Sequence, residues 1–98
     1  MKAKKMESPT LQFLKDHPIS RGYNVRPRVV CKDGFSVSIQ SSPSHYSTEG
    51  QSVEMYDPSP DKTKHGILRS WKSGKHGVYP FVPIKVVDRL IRKHGGLA

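Results

Sequence analysis

Arg28-Val29-Val30-Cys31-Lys32-Asp33-Gly34-Phe35-Ser36-Val37-Ser38-Ile39-Gln40 is the stretch from which the fold is read. Its second arm alternates apolar and polar residues without a fault, as a half-buried strand does. Asp-Gly between two such runs marks a hairpin. The length of the turn then decides which side chains share a face. A two-residue turn would set Lys32, Val30 and Arg28 on the face of Phe35, Val37 and Ile39. A three-residue turn with Gly34 at the bulge position sets Cys31 and Val29 there instead. Only the second register buries no charge, so it is the one expected.

Toward the C-terminus, Ser41 to Gly50 is a polar loop holding Pro43, His45 and Tyr46. Gln51 to Tyr56 reads as a short strand with Val53 and Met55 inward, stopped by Asp57-Pro58-Ser59-Pro60. A basic loop follows at residues 61–76, built around Ile67, Leu68 and Trp71. Gly77 to Val82 is a final extended segment. Pro83 opens a helix whose Ile84, Val87, Leu90 and Ile91 share one face, and Gly95-Gly96 close it. Its outer face carries Lys85, Arg89, Arg92 and Lys93.

Toward the N-terminus, residues 1–7 form a basic tail. Ser8-Pro9 has the form of a helix start, with Ser as N-cap and Pro at the first helical position. Leu11, Phe13 and Leu14 supply an apolar face, and His17-Pro18 end the element. So short a helix is unstable alone in water and must dock on a surface. Ile19 to Pro27 reads as a linker carrying Arg21 and Arg26. The expected organisation is a tail, helix and linker over 1–27 and one α+β domain over 28–98. That domain is a small antiparallel sheet of three or four short strands with the C-terminal helix packed on it.

The 98 residues carry a formal charge of +9, unevenly spread. Residues 1–35 hold eight Lys and Arg against three acids, residues 36–61 hold four acids and no Lys or Arg, and residues 62–98 hold nine Lys and Arg against Asp88 alone. Such an excess draws a protein toward nucleic acid, anionic lipid, nucleotides or an acidic protein face, although it also serves solubility. One cysteine, Cys31, excludes an internal disulfide and suits a reducing compartment. The basic start precedes no apolar run of signal-peptide length, and no segment is long enough to span a bilayer. The expected location is the cytoplasm, with no membrane partner.

The densest candidate site is Lys62 to His76, where Lys64, Arg69, Lys72 and Lys75 surround Trp71. The cations suit phosphates and an indole face can stack a base, whereas the plainer role for Trp71 is to pin the loop to the core. Arg89 and Arg92 of the last helix join this set, and His45 with Tyr46 forms a secondary loop site. Zinc sites use ligands paired a few residues apart, and His17, His45, His65, His76 and His94 are not so paired. No metal and no cofactor is therefore expected. Cys31 could be written as a nucleophile with His45 as its base, but an inward strand thiol behaves as a small hydrophobe. Lys-His-Gly at 64–66, 75–77 and 93–95 follows no repeat length. Lys72-Ser73-Gly74-Lys75 lacks the glycine and the strand of a phosphate loop. The carboxylates from Glu49 to Asp61 are too irregularly spaced for a metal-dependent nuclease.

Two blocks resemble a family of small, largely uncharacterised proteins of tailed bacteriophages. One is Asp33-Gly34-Phe35-Ser36-Val37-Ser38-Ile39-Gln40-Ser41-Ser42 with His45-Tyr46. The other is Gly77-Val78-Tyr79-Pro80-Phe81-Val82-Pro83 with the helix ending in Lys93-His94-Gly95-Gly96. They cover about half of the chain. The chain departs from the family pattern at Ser47-Thr48-Glu49, at Met55 to Ser59, and in the basic character of 62–76. The resemblance implies an origin as a phage or prophage accessory gene, of the kind that often modifies host machinery or counters host defence. With no catalytic constellation along the chain, a non-enzymatic protein is expected. Its expected partner is a host protein or a protein–nucleic acid complex, with direct binding of DNA, RNA or a nucleotide as the alternative. The free edge of a short sheet also allows a homodimer.

Overall fold

The computed structural model describes residues 7–19, 25–59 and 78–98. Cys31 and Phe35 close the hairpin across a three-residue turn. The Cys31 N–H donates to the Phe35 carbonyl at 2.8 Å, and the Gly34 N–H donates back to the Cys31 carbonyl at 3.0 Å. Gly34 has φ +95°, the left-handed conformation that the bulge position demands. The Asp33 carboxylate accepts from the Phe35 N–H at 2.9 Å and stiffens the turn. The register is the one that buries no charge: Val29 pairs with Val37, and Val29, Cys31, Phe35, Val37 and Ile39 are all buried.

The hairpin strands β1 (Val29–Val30) and β2 (Ser36–Gln40) begin a four-stranded antiparallel sheet. It continues with β3 (Ser52–Ser59) and β4 (Val78–Pro83) in the order β1-β2-β3-β4. Val53 and Met55 point inward as expected, but β3 does not stop at Asp57. A bulge absorbs one residue between Ser36 and Ser38 on β2 and Ser59 and Tyr56 on β3. Asp57 takes φ +55° there, a conformation that Asp tolerates better than most residues. Arg28 clamps the bulge by donating to the Asp57 carbonyl at 2.6 Å, to its carboxylate at 3.2 Å and to the Ser36 hydroxyl. The strand therefore passes through Pro58, which the sequence pattern treats as a stop.

Helix α2 (Ile84–Lys93) lies on the apolar face and buries Ile84, Val87, Leu90 and Ile91. Both of its ends are tied to the sheet. At the start, the Ile84 N–H donates to the Gln51 carbonyl beside β3. At the finish, Gly95 and Gly96 have φ near +90° and turn the chain back toward the hairpin. There Leu97 bridges Cys31 and the Ala98 N–H donates to the Val30 carbonyl. The C-terminus thus covers the outer edge of β1. His94 seals this junction by stacking on Phe35 with ring centroids 4.0 Å apart, its Nδ1 lying 2.7 Å from the Asp33 carboxylate. The opposite edge is β4, which carries Pro80 and Pro83 and a second bulge opposite Val53 and Met55. Prolines and bulges blunt an edge against further strand pairing.

Helix α1 (Pro9–Asp16) docks on α2. Phe13 enters the same buried cluster as the sheet and α2, and Leu14 packs against it. Leu11, expected on the apolar face, is 44% exposed, and Thr10 is buried in its place. The reason is Asp88. Its carboxylate accepts from the Ser8 hydroxyl at 2.8 Å and from the Thr10 N–H at 3.0 Å, so it sits on the positive N-terminus of α1. Ser8 also accepts from the Leu11 N–H as the expected N-cap. Two backbone donors and one hydroxyl are thereby satisfied where the helices meet.

Replacing Asp88 by Ala should lower stability by about 1–3 kcal/mol, because the Thr10 N–H is left buried without an acceptor. Asp88→Asn keeps an acceptor and should lose less. Urea denaturation would read both, and amide exchange should show α1 loosening first. A loss below about 0.5 kcal/mol for Asp88→Ala would mean that α1 is held by Phe13 alone.

Candidate binding surface

Packing divides α2 into three sides. The apolar side faces the sheet, Asp88 is buried under α1, and Lys85, Arg89, Arg92 and Lys93 are exposed. Positions 85, 89 and 92 follow helical spacing, so their side chains share one stripe, with Lys93 beside it. The stripe runs along a helix about 15 Å long. The single acid of the helix is spent on capping α1, which leaves the exposed side with cations only. Arg92 donates to the Glu7 carbonyl at 2.9 Å and ties the start of the chain to the margin of the stripe.

Arg89 and Arg92 thus lie together as expected, and Lys85 and Lys93 complete the surface. Lys64, Arg69, Trp71, Lys72 and Lys75 lie outside the described residues. The secondary pair has separate surroundings. His45 is half-buried with Nδ1 2.6 Å from the Ser42 hydroxyl, which also accepts from the Ser44 N–H. This histidine organises the turn of its own loop and is not paired with Cys31.

Tyr46 is 60% exposed and lies beside Phe81, which is 49% exposed, with ring centroids 6.1 Å apart. Phe81 is a site that the sequence reading passed over. It has φ +49°, an uncommon state for a bulky residue, and occupies the β4 bulge. Its N–H donates to the Tyr46 carbonyl at 3.0 Å, so the bulge anchors the 41–50 loop. An alternating strand pattern gives no warning of such a bulge, and Pro80 beside it is the one local signal.

Cys31 is 2% exposed. Burial pushes its thiol above the ordinary range, and Asp33 adds to the shift. Both effects disfavour the thiolate that a nucleophile needs. Among the described residues, no group of three His, Cys, Asp or Glu side chains could hold a metal ion, and no helix is long and apolar enough to cross a membrane. Comparison with family models, with curated proteins and with solved structures gave no match.

Folded protein should resist a thiol reagent that labels the unfolded chain at once. The raised thiol also has a pH signature. Below about pH 8.5 the thiol is neutral in both states and contributes no slope. Above it the unfolded chain ionises first, the native state keeps its proton, and stability falls as pH rises. Denaturation of the native protein and of Cys31→Ala across pH 7–10 should show a steeper decline for the native protein. Rapid labelling of the folded state, or identical slopes, would contradict a buried thiol.

Proposed function

We propose that this chain is a non-enzymatic accessory protein of the tailed-phage type that binds and modulates a host nucleic-acid-processing or defence component. The observation that carries the reading is the segregation of charge on α2. Lys85, Arg89, Arg92 and Lys93 face solvent while Asp88 is turned inward. A cationic surface without interspersed acids attracts a partner bearing phosphates or carboxylates and speeds its encounter. Arg supplies planar, multidentate recognition of such groups. The basic 62–76 segment, with Lys64, Arg69, Trp71, Lys72 and Lys75, is assigned to the same docking function on its sequence. The two phage-like blocks supply the accessory-protein context, and the cytoplasm of the host is the matching location.

The test separates a protein partner from nucleic acid itself. Labelled DNA and RNA are titrated with native protein and with Arg89→Glu/Arg92→Glu at 50 and 150 mM salt. Docking on a protein component predicts nucleic-acid binding that is lost at 150 mM salt. It also predicts a bacterial-lysate partner retained by native protein and released by the double variant. Tight nucleic-acid binding at 150 mM salt, weakened about tenfold or more by the variant, would move the protein to direct nucleic-acid recognition. Both substitutions are on exposed positions and should leave stability within about 0.5 kcal/mol.

A further inference from the structure

A cleft of about 860 Å³ opens between α1 and the 41–50 loop, away from the cationic stripe of α2. Its volume is within the range of small-molecule sites, roughly 300–1,000 Å³. One wall is apolar, formed by Leu11, Leu14 and Ile19. Arg26, Ser41, Lys15 and Glu49 also line the cleft.

Arg26 is held in place by its backbone. The side chain of Gln40, only 4% exposed, accepts from the Arg26 N–H at 2.7 Å and donates to the Arg26 carbonyl at 3.1 Å. Gln40 is itself steadied by donating to the Ser38 hydroxyl at 2.9 Å. This buried amide imitates a neighbouring strand and fixes where the guanidinium begins. The guanidinium donates through one Nη to the Ser41 carbonyl at 2.8 Å, a neutral acceptor. Among the described residues, its Nε is enclosed with no hydrogen-bond partner and Arg26 forms no ion pair. Burial lowers the pKa of the guanidinium. A half-buried guanidinium with a neutral acceptor and no ion pair among the described residues favours an anion against its remaining Nη donors.

We propose that this cleft binds a small phosphate monoester carrying a flat apolar body, of the nucleoside monophosphate class. Arg26 takes the phosphate through the Nη donors that the Ser41 carbonyl leaves unused. The Ser41 hydroxyl, which has no hydrogen-bond partner among the described residues, adds a further donor beside it. Lys15 adds long-range attraction that exceeds the single charge of Glu49 when counted with Arg26. The face of Leu11, Leu14 and Ile19 covers the flat body and removes it from water. The proposal does not depend on docking through α2, because no residue is shared between the two surfaces.

Isotope-labelled protein titrated with AMP tests it by NMR, with adenosine and inorganic phosphate as separate probes. Expected are saturating shifts of the Arg26 Nε–H signal, the amides of residues 41–47, and the methyl groups of Leu14 and Ile19. Each half-ligand should bind on the order of tenfold more weakly than AMP. Arg26→Gln should abolish the response, and because Gln40 holds only the backbone of residue 26 the fold should survive. Arg89→Glu/Arg92→Glu should leave it unchanged. No saturating shift with AMP, an undiminished response in Arg26→Gln, or equal affinity for inorganic phosphate would overturn the proposal. Shifts confined to α2 and lost in Arg89→Glu/Arg92→Glu would overturn it as well, while supporting anion recognition by the stripe.

Discussion

The pairing of Cys31 with Phe35 across a three-residue turn is the constraint on which the rest of the structure depends. Side chains alternate along a strand, so a slip of one residue would exchange the faces of β1. Lys32 and Arg28 would then compete for the space now filled by Cys31 and Val29. With the observed register, one face of the hairpin is wholly apolar, and α2 has a surface to cover. The C-terminus returns to the same hairpin, where the Lys32 N–H donates to Gly96 and the Asp33 N–H to His94. The first strand and the last helix therefore lock each other, although more than fifty residues of chain separate them.

Charge is managed by the same architecture. A helix with cations on its outer side needs a way to accommodate its one acid. Here the acid serves as the anion at the N-terminus of a second helix. That arrangement recruits α1 to the core without a long apolar face, which its sequence does not offer. It also removes the helix's own acid from the exposed side of α2. Stability and surface potential are thus products of a single carboxylate, and the functional reading follows from where that carboxylate points.

Two backbone irregularities shape the surface beyond α2. The bulge at Asp57 is neutralised by Arg28 and extends β3. The bulge at Phe81 is anchored by the 41–50 loop and turns two aromatic rings outward. The same loop forms one wall of the cleft at Arg26. A polar, Ser-rich loop therefore joins a strained strand, an exposed aromatic pair and a half-buried guanidinium, and this explains why its seat on the sheet is so heavily hydrogen-bonded.

Much of this fold is local chemistry and is legible along the chain. Asp33-Gly34 specifies the turn, the alternation from Phe35 to Gln40 specifies the strand, Ser8-Pro9 starts α1, and Gly95-Gly96 end α2. Each of these is decided by φ preference, capping or periodicity within a few residues. Helical spacing likewise places Lys85, Arg89 and Arg92 on one side. Pairings across the chain are of another kind. Asp88 with Ser8, His94 with Phe35, Gln40 with the backbone of Arg26, and Phe81 with Tyr46 join residues whose separation along the chain carries no pattern. Their partners are chosen by what the packed sheet and helices bring within hydrogen-bond reach. The sequence by itself determined the elements and the sign of the surface charge, because those depend on near neighbours. The tertiary structure alone decided which acid was buried, which strands were bulged and which half-buried arginine has no ion pair among the described residues.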